Sequence, residues 1–238
     1  MTFNFYEDKN YAEAYAKLEF AGTYYLAYRD LPDLISKYVV GDRALDFGCG
    51  AGRSTRFLKR LGFNVTGIDI SREMLEKARQ QDPSGNYLLI EDDGFEPLKG
   101  DSFDLILAAF PFDNIPGMDR KTQLFRALGS FLKPSGIFMN LVSSEEIYTN
   151  EWLSFSTSDF EENKHARVGE PVRIVNRAIQ DSRPVTDIFM TDSAYREVYR
   201  NADLKVVEAW KPLGREQEPY PWVNELKISP WVIYVLKK

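Results

Sequence analysis

The chain has 238 residues, the length of one compact domain with an insertion rather than of two independent domains. Its 44% hydrophobic and 28% charged residues are those of an ordinary globular protein, and a net charge of −6 without a Lys/Arg block argues against a nucleic-acid partner. One cysteine, Cys49, and one histidine, His165, exclude an internal disulfide and leave zinc without a ligand set, so no metal is expected.

The first 40 residues are rich in aromatic side chains at helical spacing. Tyr11, Tyr15 and Leu18 share one predicted helix face. The stretch then continues with Phe20, Tyr24, Tyr25 and Tyr28 and ends at Arg29. Packing is the ordinary role of such a helix, and the alternative is a helical lid over a bound ligand.

Short apolar segments alternate with amphipathic helices from residue 42 to residue 142. The predicted strands are residues 43–47, 63–68, 87–90, 103–108 and 137–142. The predicted helices are residues 55–61, a helix capped by Ser71 that runs through Ala78, and a helix capped by Asp119 that ends at the turn 133–136. This alternation predicts an α/β fold with a doubly wound, mostly parallel sheet.

The pattern changes after residue 142. Residues 143–192 are polar with scattered aromatics, and two segments within them, 171–175 and 184–189, are expected to pair as a hairpin. A helix at 193–201 and strands at 204–209 and 231–236 follow. A seven-stranded sheet with a reversed terminal strand would need this order. We therefore expect one domain over 1–238: an N-terminal helical lid (1–40), a core (41–142), an insertion after strand five (143–192) and a C-terminal completion of the sheet (193–238).

The first strand ends in the glycine-rich segment Asp46-Phe47-Gly48-Cys49-Gly50-Ala51-Gly52-Arg53. Its glycines allow a sharp turn and let a ligand approach the backbone closely. The turn lies at a helix N-terminus and at the edge of the sheet where doubly wound folds bind their ligands. A dinucleotide fingerprint requires glycine at the sixth position, where this chain has Arg53. An NAD-dependent oxidoreductase is therefore disfavoured.

Asp69 lies at the end of the second predicted strand, 21 residues after Gly48. A carboxylate there accepts hydrogen bonds from both hydroxyls of a bound ribose, although an aspartate in this position can also simply cap the next helix. Together with the glycine turn, it predicts an adenosine-containing ligand.

Gly-x-Gly-x-Gly preceded by an acidic residue resembles motif I of class I (Rossmann-like) methyltransferases that depend on S-adenosylmethionine (SAM). The resemblance covers residues 42–142 and implies SAM as cofactor, S-adenosylhomocysteine (SAH) as product and a small-molecule methyl acceptor. It implies that SAM contacts Asp46, Gly48, Cys49, Gly50 and Gly52 in the turn, Asp69 at the ribose, Asp92 and Asp93 at the adenine, and the Ala109 carbonyl at the amino group. Ile70 and Met74 would pack against the adenine or belong to the core.

The acceptor side is less defined. Related enzymes that methylate amides or nucleobase amines carry Asn/Asp-Pro-Pro-Tyr/Phe after strand four, and the segment 109–112 here, Ala-Phe-Pro-Phe, departs from that pattern. Phe110 and Phe112 either wall the acceptor site or pack in the core. No catalytic residue is assigned, since His165, Asp113, Glu145 and Tyr24 are candidate bases by residue type alone. In the lid, Arg29 is a candidate partner of the SAM carboxylate.

Two further expectations concern setting and activity. The N-terminus has no signal-peptide pattern and no apolar run approaches the ~20 residues that span a bilayer, so a cytoplasmic protein without a membrane partner is expected. Intact cofactor motifs are also compatible with a SAM-binding protein that lacks transferase activity. The oligomeric state has no signature in the sequence.

Overall fold

The computed structural model describes residues 9–91 and 94–238. The strands are β1 Arg43–Phe47, β2 Asn64–Asp69, β3 Asn86–Leu89, β4 Phe103–Ala109, β5 Leu132–Ser143, β6 Phe155–Ser156, β7 Pro171–Asn176, β8 Val185–Ile188, β9 Lys205–Trp210 and β10 Trp231–Lys237. The α-helices are α1 Lys9–Ala16, α2 Thr23–Arg29, α3 Leu31–Tyr38, α4 Arg53–Arg60, α5 Arg72–Gln81, α6 Pro111–Asn114, α7 Met118–Ser130 and α8 Asp192–Asn201.

The predicted seven-stranded sheet is confirmed. Its order is β3-β2-β1-β4-β5-β10-β9, with β1 to β5 parallel and β10 antiparallel to both of its neighbours. The chain's last strand is not at the edge of the sheet, because β10 lies between β5 and β9. Residues 231–236 of β10 are all buried, as an interior strand requires, whereas β9 has no fully buried residue and forms the edge.

Apolar side chains fill the space on both faces of the sheet. On one face, Phe125 of α7 and Tyr199 of α8 pack with Phe138 of β5. On the other, Leu26 of α2 belongs to the cluster that includes Leu105 of β4. Helices on both faces leave the carboxyl ends of the parallel strands as the open edge of the sheet.

Several boundaries differ from those predicted. Helix α4 begins at Arg53 rather than Thr55, directly after the glycine turn. The expected Asp119 cap is wrong: Gly117, with φ of +79°, precedes the helix and Asp119 lies in its first turn. The expected turn at 133–136 is also wrong, since β5 begins at Leu132 and meets β4 through a register shift. The Ser71 cap is confirmed, because its hydroxyl accepts a hydrogen bond from the Met74 amide at 3.3 Å.

The insertion forms a three-stranded antiparallel sheet, β6-β7-β8, which confirms the predicted hairpin. Hydrogen bonds join it to the N-terminal helix α2, and the Ser154 amide donates one of them to Thr23 Oγ1 at 3.0 Å. The Thr23 amide donates to Ser154 Oγ at 2.9 Å, and Asn176 Nδ2 donates to the Tyr24 hydroxyl at 3.1 Å. The insertion and the N-terminal segment therefore meet above the open edge of the main sheet.

The described ranges 9–91 and 94–238 lack two kinds of feature. They contain no helix long and apolar enough to cross a membrane. The same ranges contain no group of three or more His, Cys, Asp or Glu side chains that could hold a metal ion.

Candidate functional site

The glycine turn after β1 is shaped by close packing. The amides of Gly48 and Cys49 both donate to the Ile68 carbonyl, at 2.9 and 3.0 Å, and φ is positive at each of the three glycines. A Cβ added to Gly48 would lie 2.5 Å from Pro111 Cβ, and one added to Gly52 would lie 2.6 Å from the Tyr87 hydroxyl. Neither position therefore tolerates a side chain.

A crevice opens beside this turn. Its lining consists of Tyr15, Ala16, Leu18, Tyr28, Gly48, Cys49, Gly50, Ala51, Arg53, Ser54 and Ala109. Of the sequence-predicted residues, Gly48, Cys49, Gly50 and Ala109 thus come together at the carboxyl ends of β1 and β4, whereas Asp46 and Gly52 are not part of the lining. Helix α1 and the segment after it cover the crevice from the other side.

Asp46 supplies a negative charge beneath the crevice. It is fully buried, and one carboxylate oxygen accepts hydrogen bonds from Ser54 Oγ at 2.7 Å and Thr55 Oγ1 at 2.6 Å. The other oxygen, Oδ1, has no partner in the described part of the chain. Burial raises the pKa of Asp46 to about 6. A buried, half-satisfied carboxylate of this kind fits a ligand that carries an ammonium group.

Arg53 supplies a positive charge in the same crevice. Its guanidinium lies 4.6 Å from the ring centre of Tyr24 and 5.4 Å from that of Tyr28, and donates to the Glu19 carbonyl at 3.2 Å. Within residues 9–91 and 94–238, no carboxylate forms a salt bridge with it, although only 8% of the residue is exposed. Asp46 and Arg53 together fit a zwitterionic amino-acid tail.

The structure does not bring Arg29, the predicted partner of the carboxylate, to this crevice. Its guanidinium donates to Asp30 at 2.7 Å, to Glu218 at 2.6 Å and to the Leu213 carbonyl at 3.0 Å. The C-terminal segment that supplies two of these partners has no recognisable signature in the sequence. Helix α2 turns Arg29 away from the glycine turn, and Arg53 takes the place in the crevice.

Asp69 lies at the end of β2, beside the glycine turn. Its two oxygens accept hydrogen bonds from the Gly50 and Ser71 amides, both at 2.8 Å. Ile70 is 54% exposed and offers an apolar surface, whereas Met74 is 1% exposed and packs beneath Gly50. Asp92 and Asp93, the predicted adenine contacts, lie outside the described residues.

A second pocket adjoins the crevice, and Tyr15 borders both. Its lining comes from the N-terminal segment, the end of β4, β5, the insertion and β10. It consists of Tyr15, Tyr24, Phe110, Asp113, Asn114, Ser143, Ile147, Phe155, Ile174, Asn176, Val185, Asp187 and Trp231.

Aromatic rings form one wall of this pocket. The Phe110 and Trp231 ring centres are 4.7 Å apart, and the Tyr24 ring stacks on Trp231 at 5.7 Å. Phe110 adopts φ of +73°, a conformation that costs a non-glycine residue energy and often marks a functional site. Phe112, in contrast, is fully buried and stacks on Phe125 at 3.9 Å. Phe110 thus walls the pocket and Phe112 packs in the core.

Two buried carboxyl groups, those of Asp113 and Asp187, also line the pocket. Asp113 accepts hydrogen bonds from the Ser143 amide at 3.0 Å and its hydroxyl at 2.8 Å. Asp187 accepts from Asn114 Nδ2 at 2.6 Å and from the Tyr148 hydroxyl at 3.0 Å. Burial raises the pKa of Asp113 to about 7 and that of Asp187 to about 6, and the charge of Asp187 contributes to the shift of Asp113.

Only two of the four candidate bases line the pocket. Asp113 and Tyr24 do so, whereas His165 is exposed in a 3₁₀ turn of the insertion and Glu145 accepts a hydrogen bond from the Asp192 amide. Sequence reasoning missed Asp187, the second carboxyl group. Its only signal was an acidic residue inside a predicted strand.

Comparisons with known proteins agree with this geometry. Residues 45–140 match the family model described as a methyltransferase domain. The chain is 34% identical over 102 residues to the ubiquinone biosynthesis O-methyltransferase of Nitrosococcus oceani, which covers 41% of this chain and 42% of that protein. It is 33% identical over 130 residues to the trans-aconitate 2-methyltransferase of Rhodopseudomonas palustris, which covers 53% of this chain and 47% of that protein. The chain thus spans less than half the length of these two relatives.

The fold agreement extends much further along the chain. A crystal structure of a SAM-dependent methyltransferase from Clostridium acetobutylicum has a TM-score of 0.63 to this chain at 16% identity. That superposition covers 94% of this chain and 93% of the other.

Sheet order, reversed strand and glycine turn together define a Rossmann-like methyltransferase domain with a SAM crevice. Residues 45–140 thus match a methyltransferase domain in sequence, and the fold of the chain is that of SAM-dependent methyltransferases.

Proposed function

We propose that this protein transfers the methyl group of SAM to a small molecule bound in the aromatic-walled pocket. One observation carries the proposal: the crevice at the glycine turn and the pocket adjoin at Tyr15, so ligands in the two would meet there. The bound sulfonium supplies an activated methyl group. The residues of the chain then have to place a nucleophile in line with it, an effect that can reach ~7–11 kcal/mol.

The cofactor end of the site uses charges of both signs. Asp46 stabilises the ammonium of the methionine tail, and Arg53 binds its carboxylate. Asp69 accepts hydrogen bonds from the ribose hydroxyls. The Gly50 and Ser71 amides donate to its carboxylate and hold it in position for this role. Ile70 and Met74 flank the adenine, and Asp92 and Asp93 remain predicted contacts of its edge.

Water has to be kept away from the reacting atoms. The N-terminal segment supplies Tyr15 and Tyr24, and the insertion supplies Phe155 and Ile174, so both segments contribute to the walls of the pocket. Exclusion of water by bound ligands would strengthen the electrostatic interactions within the pocket. We therefore assign the role of lid to residues 1–40 jointly with residues 143–192. The lone cysteine still supports a reducing, cytoplasmic setting.

Calorimetric titration with SAH and turnover of radiolabelled SAM with a metabolite extract test this function. We expect SAH to bind with about one molecule per chain and the label to move to an extractable small molecule. NADH serves as the control ligand and should not bind. Binding of SAH without label transfer would instead indicate a SAM-binding protein without transferase activity, and absence of SAH binding would refute the assignment altogether.

A further inference from the structure

The acceptor pocket has a charge pattern that narrows the class of acceptor. Of the residues that line it, only Asp113 and Asp187 carry a formal charge, and both are acidic. Lys121, the cation that interacts with both, is fully buried outside the lining and donates a hydrogen bond to the Phe112 carbonyl. The described lining therefore contributes acidic side chains and no basic one to the pocket.

The cluster is also unbalanced in charge. Two carboxyl groups share a single buried ammonium, so one carboxylate has no cation to neutralise it when all three groups are ionised. A buried charge without a partner is costly, and a ligand cation would remove that cost. Burial lowers the pKa of Lys121 to about 8 against the opposing effect of the two carboxyl groups, which weakens Lys121 further as their counterion.

The aromatic wall of the pocket is an independent feature that also favours a cationic ligand. The rings of Tyr24, Phe110, Phe155 and Trp231 are neighbours, with centre distances of 4.7 to 5.8 Å. Aromatic faces attract ammonium groups and offer nothing comparable to a carboxylate. The lining of one pocket therefore combines electron-rich rings with two carboxyl groups, and both kinds of group favour a cation.

We propose that the methyl acceptor is a cationic amine, whose ammonium is held between the aromatic wall and the Asp113–Asp187 pair. This inference rests on the proposed transferase function and specifies its substrate class. An anionic acceptor would meet two carboxyl groups of like charge in the pocket lining, and a neutral alcohol would bring no charge to compensate them.

The Asp113–Asp187 pair can also accept the proton that the ammonium must release before methylation. The ammonium releases H⁺ to Asp113 or Asp187, and the freed nitrogen lone pair forms the N–CH₃ bond as the S–CH₃ bond breaks. The electrons of that bond remain on sulfur, which becomes the neutral thioether of SAH, and the product leaves as a methylated ammonium. The carboxyl group then returns its proton to solvent. Raised pKa values suit both groups to this transfer near neutral pH.

The test is a binding panel on the SAH-saturated protein. Calorimetry compares small aromatic and aliphatic amines, each with the alcohol and the carboxylate of matching size; 2-phenylethylamine, 2-phenylethanol and 3-phenylpropanoate form one such set. We expect amines to bind at least about tenfold more tightly than their partners, as expected for a charge-assisted hydrogen bond. Equal or weaker binding of amines, including no binding by any of them, overturns the proposal. Failure of SAH itself to bind would refute the transferase function instead.

Isosteric variants test whether Asp113 and Asp187 cause the preference for amines. Asp187→Asn and Asp113→Asn should each weaken amine binding by about tenfold or more and leave SAH affinity within about twofold. Glu145→Gln is the matched control, since Glu145 lies in the same insertion outside the pocket lining. If the amine affinity of both Asp variants equals that of the control, the carboxyl pair does not bind the ligand.

A pH profile separates a catalytic from a structural role. The charged and titratable neighbours of the pair are Lys121 of α7, Tyr148 of the insertion and Tyr195 of α8. Once an amine acceptor is found, Asp113→Asn should shift the acidic limb of kcat/KM, because the group that accepts the proton has changed. An unchanged acidic limb in both Asp variants would remove the pair from proton transfer.

Discussion

Replacing Asp46 with asparagine should stabilise the free protein and weaken cofactor binding. Burial raises the pKa of Asp46 from 3.8 to about 6, and each pKa unit corresponds to 1.36 kcal/mol, so its ionised form costs about 3 kcal/mol in the folded state. The amide keeps an oxygen for Ser54 and Thr55 but leaves an unpaired NH₂ group, which costs about 1 kcal/mol. The net gain at pH 8 is therefore about 2 kcal/mol.

The sign of this effect sets its pH dependence. An acid whose pKa is raised in the folded state stabilises the folded protein as long as the acid is protonated. For Asp46 this contribution is complete below pH 3.8 and is lost as the pH rises to about 6. Urea denaturation of both proteins at intervals from pH 4 to pH 8 measures the difference. Asp46→Asn should gain stability over the wild type between pH 4 and pH 6 and keep a constant advantage above that. The melting temperature at pH 8 should rise by roughly 4–8 °C.

Asp104→Asn is the matched control, for which the expected change in stability has the opposite sign. Asp104 accepts hydrogen bonds from Lys133 Nζ at 2.8 Å and from the Arg43 amide at 3.1 Å, and these partners outweigh burial and lower its pKa. This variant should be less stable than the wild type at neutral pH. Our reasoning would be wrong if Asp46→Asn were also destabilised at pH 8, or if its advantage did not depend on pH. Calorimetry should show that Asp46→Asn binds SAH at least about tenfold more weakly.

Three other variants test the geometry of the crevice. Gly52→Ala should destabilise the protein by about 2 kcal/mol in urea denaturation and impair SAH binding. The reason is that φ is +80° at Gly52 and that the new Cβ would lie 2.6 Å from the Tyr87 hydroxyl. Gly62→Ala is the control for the backbone cost alone, because Gly62 has φ of +94° and open space around it. Arg53→Lys should weaken SAH binding by about tenfold in calorimetry, since a lysine cannot form the bidentate contact with a carboxylate; unchanged affinity would remove Arg53 from the site. Arg29→Ala should leave SAH affinity unchanged and lower the melting temperature, because its partners belong to the fold.

Local sequence patterns were sufficient to predict the glycine turn and the position of Asp69 beside it. The turn Gly48–Gly52 and Asp69 lie at the ends of adjacent strands, and strands that alternate with helices bring their carboxyl ends to one edge. Positive φ at the glycines and the Ser71 cap are local properties as well. The hairpin in the insertion followed from its alternating residues. The failures near Asp119 and residues 133–136 occurred where turn signals were overridden by neighbouring structure.

The acceptor half depended on contacts between distant segments. Asp113 and Asp187 lie 74 positions apart (187 − 113), and Trp231 joins Tyr24 only because β10 inserts between β5 and β9. The wrong prediction for Arg29 has the same cause, since the packing of α2 pairs Arg29 with Glu218 and leaves Arg53, which the sequence did not single out as a ligand contact, in the crevice lining. Backbone turns are determined by residues a few positions apart, whereas a pocket wall is determined by the long-range packing of whole elements. The sequence by itself therefore determined the cofactor, and the tertiary structure decided the charge and shape of the acceptor pocket.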